Sequence, residues 1–275
     1  MLFNCYLNKD MITVGMATYD DYDGVYFTIQ SLRLHHPLVK EFIIIDNNPS
    51  SKHGKMCKKL SENLDNIKYI PYTEKKGSIV KGEVFKYASN EIVVVCDCHV
   101  LFPSNSFDAL LNYYDNHHKP YDFIQGPLLY DDLKHESTHL KEGWGTQFYG
   151  KWDTIAIEDS FHEIPAQGMG VFSCKKNEWL GFNEKFKGFG GEEYYIHEKY
   201  RQKGGKCICV KDFKWTHRFD RPNGVPFPNI LEERFSNYVI GRVELNLSYD
   251  DVIQEFKKVL KQETIDSILK QITHT

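Results

Sequence analysis

The chain has 275 residues, enough for one substantial hydrophobic core with a small appendage. Hydrophobic residues at 41% and charged residues at 26% are ordinary for a globular protein. A formal net charge of −4 argues against a general nucleic-acid binder, which carries a basic excess, so any anion site must be local.

Seven cysteines, an odd number without framework spacing, suggest reduced thiols and a cytoplasmic setting. The opening residues lack a basic-then-apolar leader, and no apolar run approaches the roughly 20 residues that span a bilayer. A soluble chain without a transmembrane segment is expected.

In chain order, residues 11–16 read as a strand and 26–34 as a helix ended near His36-Pro37. A β-branched strand follows at 41–45, a helix at 55–64, a short strand at 67–70 and a helix at 81–88. Residues 92–96 are a continuous apolar strand. Unbroken β-branched runs suit strands covered on both faces, and the β-α-β order implies a doubly wound, mostly parallel α/β sheet. Beyond residue 120 the pattern loosens. Gly143-Trp144-Gly145 and Lys151-Trp152-Asp153 look like loops, 167–173 a strand, 192–203 a helix closed by Gly204-Gly205, and 206–215 a strand. Residues 221–228 form a Pro/Gly linker. The organisation expected is a catalytic domain over 1–228 and a helical extension over 229–275. In that tail Val252, Ile253, Phe256, Val259 and Leu260 have helical spacing behind a candidate N-cap, Ser248.

Three constellations carry chemistry. Asp97-Cys98-His99 ends the fourth strand, where ligands collect in open α/β sheets. On an extended backbone, residues two apart point the same way, so Asp97 and His99 are expected to face one site and Cys98 away from it. One hard oxygen and one borderline nitrogen suit Mn²⁺, with Mg²⁺ possible, bridging the phosphates of a nucleotide diphosphate. Gly190, Gly191, Glu192 and Glu193 open a later helix. Glycines admit close backbone approach, and two carboxylates there suit holding sugar hydroxyls and removing an acceptor proton. His217, Arg218 and Arg221 follow the last strand: the imidazole as a third metal ligand, the arginines as phosphate partners. Each constellation also has a plain reading: a polar strand end, an acidic first helical turn, a basic surface turn.

Together these motifs resemble the GT-A glycosyltransferases, specifically family-2-like enzymes, over residues 11–221. The branches they look most like are the polypeptide N-acetylgalactosaminyltransferases and the β-1,4-galactosyltransferases. The resemblance implies a GT-A (Rossmann-like) fold and transfer of a hexose or N-acetylhexosamine from a nucleotide sugar, a UDP-sugar by preference. Asp97, His99 and His217 match the family's metal ligands, and Gly190-Gly191-Glu192 its Gly-Gly-Glu segment. Ala17-Thr18-Tyr19 resembles the family's nucleoside-contacting turn, so Thr18 and Tyr19 join the nucleotide site. Asp46 takes the place of the carboxylate that reads the uracil edge, and Lys81 lies where the family has Arg near the diphosphate. Ala17, Asn47 and Gly82 depart from the family pattern, which bears on base preference. Glu193 stands where the galactosyltransferase branch has its base and implies inversion, whereas the metal motif is similar to that of the retaining branch.

Trp144 and Trp152 are candidates for stacking on an acceptor sugar, with a packed loop aromatic as the plain reading. The acceptor class stays open between a saccharide, a lipid-linked glycan and a protein. The rival readings are a structural zinc module from Cys96, Cys98, His99, Cys207, Cys209 and His217, and a sugar-nucleotide-binding protein without turnover. The tail helices suit packing on the domain, dimer formation or a membrane face.

Overall fold

The computed structural model describes residues 11–156, 158–220 and 224–273. Its centre is an eight-stranded sheet. Strands β1 (Ile12–Thr18), β2 (Val39–Asp46), β3 (Ile67–Pro71) and β4 (Ile92–Asp97) are parallel. Helices α1 (Tyr22–His35) and α2 (Lys52–Glu62) cover one face. A 3₁₀ turn, Ser78–Glu83, and the short α3 (Val84–Tyr87) cover the other. This explains the unbroken apolar runs. Ile44 and Val94 enter the core under α1, while Ile43, Ile45, Val93 and Val95 enter the opposite core with Ile79, Val84 and Phe85.

After β4 come β5 (Val100–Leu101), α4 (Ser106–Asn116), β6 (Phe123–Gln125), β7 (Leu128–Leu129) and β8 (Glu136–Ser137). They are followed by β9 (His139–Trp144), β10 (Tyr149–Asp153), β11 (Phe161–Glu163), β12 (Val171–Lys175) and α5 (Glu192–Gln202). Strands β13 (Cys207–Val210) and β14 (Trp215–His217) precede α6 (Leu231–Glu244), α7 (Asp250–Phe256) and α8 (Gln262–Thr273). The large sheet has the order β11-β13-β6-β12-β4-β1-β2-β3, with β12 and β11 antiparallel to their neighbours. A second sheet, β5-β14-β7-β8, lies at the carboxyl end of β4.

Several sequence expectations change. Residues 143–145 and 151–153 are not loops but parts of the β9–β10 hairpin, whose period is hidden by Gly143 and Gly150 at positive φ. The strand expected over 206–215 breaks where Phe213 N–H turns back to Val210 O at 3.1 Å, because its two halves join different sheets. The strand expected from 167 begins at Val171, since Gly168 and Gly170 lie flat under Trp152 and Trp215. The helix expected over 81–88 is 3₁₀ through Glu83 and α-helical only over Val84–Tyr87. Ser248 accepts the Asp250 N–H at 3.2 Å from one position before the N-cap, Tyr249.

The tail helices share a core of Phe235, Val239, Val252, Phe256 and Ile265, and α6 also packs on α5. Among the described residues no helix is long and apolar enough to cross a membrane.

Gly15 sets how closely the segment carrying Lys81 lies on β1, because a Cβ there would stand 2.1 Å from Val84 Cγ1. Gly15→Ala is expected to destabilise the fold by about 1–3 kcal/mol through overpacking. Urea unfolding should show the loss, and Gly15→Ala/Val84→Ala should recover part of it.

Candidate active site

A cavity of about 1040 Å³ opens at the carboxyl ends of β1 and β4, where an open α/β sheet collects its ligands. Thr18, Tyr19, Lys81, Asp97, His99, Trp152, Glu192, Glu193 and His217 all line it.

Strand β4 stops at Asp97, whose N–H donates to Gly170 O at 2.7 Å, and Cys98-His99 forms a turn. Asp97 and His99 therefore meet through that turn and not through strand alternation. Next, β5 pairs antiparallel with β14 in the register His217↔Val100, and Arg218 N–H donates to His99 O at 3.2 Å. This pairing carries His217 to His99. His99 Nε2 lies 3.1 Å from His217 Nε2, which lies 3.1 Å from Asp97 Oδ2. One ligand atom from each of the three residues falls within 4.8 Å of the others.

Sequence reasoning passes over the residue that orients this group. Asp21 accepts the Gly24 N–H at 3.1 Å as the N-cap of α1, and its Oδ2 is 2.8 Å from His99 Nδ1. An ionised carboxylate only accepts, so Nδ1 carries the proton and Nε2 turns its lone pair to the cavity. Arg218 grips Asp21 from behind at 2.9 and 2.8 Å. The N-cap role is legible in Asp21-x-x-Gly24, whereas the link to His99 leaves no mark in sequence spacing.

The charges fit a cation. Burial would raise the Asp97 carboxyl, but Lys81, His217 and His99 outweigh it and hold Asp97 well below the usual carboxylate range. Lys81 Nζ is 2.6 Å from Asp97 Oδ1 and 2.8 Å from Met169 O, leaving Oδ2 toward the imidazoles. Asp21 is held low in the same way: burial opposes, and His99 and Arg218 prevail. Two imidazole nitrogens and an ionised carboxylate oxygen converge here, a donor set that an ion of borderline softness would hold in place of the protons now shared among them.

The part of the lining that α5 supplies behaves otherwise. Glu192 and Glu193 begin α5 behind Gly191, which adopts a left-handed conformation. Burial raises the Glu192 carboxyl, and its Oε2 has no hydrogen-bond partner among the described residues. Burial, with the Glu192 charge second, pushes Glu193 up to about 8.

The remaining predicted residues divide. Thr18 and Tyr19 line the cavity, the buried Thr18 hydroxyl having no hydrogen-bond partner among the described residues. Asp46 lies beneath it, accepting the Asn48 N–H at 2.9 Å and the Tyr69 hydroxyl at 2.6 Å, and Asn47 lines the wall in its place. Arg218 is turned to Asp21 and is not part of the lining. Arg221 lies outside the described residues. Gly190 and Gly191 face α6 instead of the cavity, since a Cβ on either would come within 3.0 Å of Arg234 or Asn237. Trp152 lines the cavity, but Trp144 does not: it packs on Tyr238 and Phe256, and its indole N–H donates to Asp251 at 3.1 Å. Cys207 and Cys209 are buried in β13 and join neither of the clusters close enough to share an ion among the described residues, Asp97-His99-His217 and Asp21-Cys98-His99. The zinc arrangement is therefore not formed.

Comparison with known proteins agrees with this architecture. The family Glycosyl transferase family 2 matches residues 13–165. No match was found among curated protein sequences. Among solved structures, GalNAc-T7 with UDP, GalNAc and Mn²⁺ superposes with a TM-score of 0.68 at 13% identity, covering 90% of this chain. The present chain spans 49% of that protein's length. The mannosyltransferase PcManGT from Pyrobaculum calidifontis, in complex with GDP-Man and Mn²⁺, gives a TM-score of 0.51 at 12% identity, covering 97% of this chain and 81% of its own. At such identities the likeness speaks for the GT-A fold, and the family match for the chemistry. The chain belongs to glycosyl transferase family 2.

Proposed function

We propose that this enzyme moves a hexose or N-acetylhexosamine from a UDP-sugar to an acceptor hydroxyl with inversion, using Mn²⁺. The observation that carries this reading is one cavity lined by two unlike groups, Asp97 with His99 and His217, and the raised carboxyl of Glu193. Both structural neighbours were solved with Mn²⁺, and GalNAc-T7, with the higher TM-score, carried UDP.

Asp97 Oδ2, His99 Nε2 and His217 Nε2 would hold the ion. When bound, it supplies Lewis-acid stabilisation of the charge gathering on the departing diphosphate. Thr18, Tyr19 and Asn47 border the space for the nucleoside, and Glu192 Oε2 offers an acceptor to a sugar hydroxyl. Glu193 takes the proton from the acceptor hydroxyl as its oxygen bonds to the anomeric carbon. The glycosidic electron pair leaves with the nucleoside diphosphate. A base poised near 8 gains basicity over an ordinary carboxylate while about a tenth of it stays ionised at pH 7. Trp152, on the same lining, supplies a face for the acceptor.

Glu193→Gln is expected to lower kcat by about 10²–10⁴-fold while leaving Mn²⁺-UDP binding intact. In the wild type kcat/KM should rise with pH through about 8, because the base must lose its proton, and this limb should vanish in the variant. NMR of the product from an α-linked donor reports the stereochemistry, and an α-linked product contradicts inversion. A screen of UDP-, GDP- and dTDP-sugars with and without Mn²⁺ tests donor and metal together. Asp21→Asn removes the charge that orients His99 and should weaken Mn²⁺ binding about 10–100-fold, measured by titration in the presence of UDP.

A further inference from the structure

The tail helix α6 lies against the loop that launches α5, and their junction is built residue by residue. Asn237, 2% exposed, spends its whole side-chain amide on that loop. Its Oδ1 accepts the Lys187 N–H at 2.9 Å, and its Nδ2 donates to Lys187 O at 2.7 Å and Gly190 O at 2.9 Å. Arg234, equally buried, donates from Nε to Phe189 O at 3.4 Å and sets its guanidinium 3.8 Å from the Phe148 ring centre.

The loop is shaped to receive them. Gly188, Gly190 and Gly191 have φ of +58°, +98° and +96°, a region costly for residues with a side chain. A Cβ on Gly190 would reach 3.0 Å from Arg234, and one on Gly191 3.0 Å from Asn237. The glycines thus admit α6 and the turn at once, and Glu192 and Glu193 project from the next two positions.

We infer that α6 is a working part of the active site, with Asn237 and Arg234 as positioning residues that fix the loop from which Glu192 and Glu193 reach the substrate. This rests on the reading of Glu193 as the base. Neither residue lines the cavity: the side-chain bonds of Asn237 go to the loop, whereas Arg234 also donates to Asn229 on the lining and feels the charges of Glu193 and Glu192.

The test compares full-length wild type, Asn237→Ala and Arg234→Lys in three readouts: kcat and KM for sugar transfer, calorimetric binding of UDP with Mn²⁺, and hydrogen–deuterium exchange of backbone amides. Asn237→Ala is expected to lower kcat by about a hundredfold, the scale of a small misplacement of a catalytic group. UDP affinity should hold, and exchange should rise over residues 187–191. A folded Asn237→Ala with wild-type kcat overturns the inference. So does a parallel loss of kcat and UDP affinity, which marks general loosening. Should Asn237→Ala not fold, Arg234→Lys keeps the charge but loses the planar fork: reduced kcat with intact UDP binding supports the inference, and wild-type kcat overturns it. Failure of the underlying reading is seen separately, as turnover retained in Glu193→Gln.

Discussion

The site depends on the two-residue strand pairing of β5 with β14. It joins the turn after β4 to a segment far along the chain, in the register that sets His217 opposite Val100. Shifted by one position, the imidazole would point to the other face of the ribbon and the three donors would part. So short a ladder is weak alone. It is supported by Trp215, buried with its indole N–H on Gly126 O at 2.7 Å, and by β7 on its other side.

Around that pairing the cavity is electrically divided. On the metal side every carboxylate has a cationic or imidazole partner: Asp97 with Lys81 and His217, Asp21 with His99 and Arg218. On the α5 side two carboxylates lie together and burial raises both. In the proposed reaction the first wall would stabilise the departing diphosphate through a cation, and the second would take the proton stripped from the acceptor hydroxyl.

Much of this was legible in the residues. The β-branched runs announced strands covered on both faces, and Asp97, His99, His217, Glu192 and Glu193 carried enough motif to be grouped in advance. What was hidden depends on contacts between distant segments. Asp21 looks like a helix cap because its bond to His99 has no local signature. Asp46 sits in a family-like position yet spends its oxygens on Asn48 and Tyr69. Trp144 has the flanking glycines of a mobile loop, but the hairpin and tail core claim it. Gly190 and Gly191 fit a substrate-approach motif, and only the packing of α6 shows that they serve a helix.

One small contact ties the two walls. Gly77 and Gly188 form an isolated parallel bridge, with Ser78 N–H on Gly188 O at 2.9 Å, and a Cβ on Gly77 would fall 1.8 Å from that same oxygen. Gly77 begins the turn that bears Lys81, and Gly188 begins the loop that bears the two glutamates. The seam thus ties the segment of Lys81 directly to the segment of Glu192 and Glu193. A side chain at Gly77 would force these two segments apart, and with them the lysine and the glutamates.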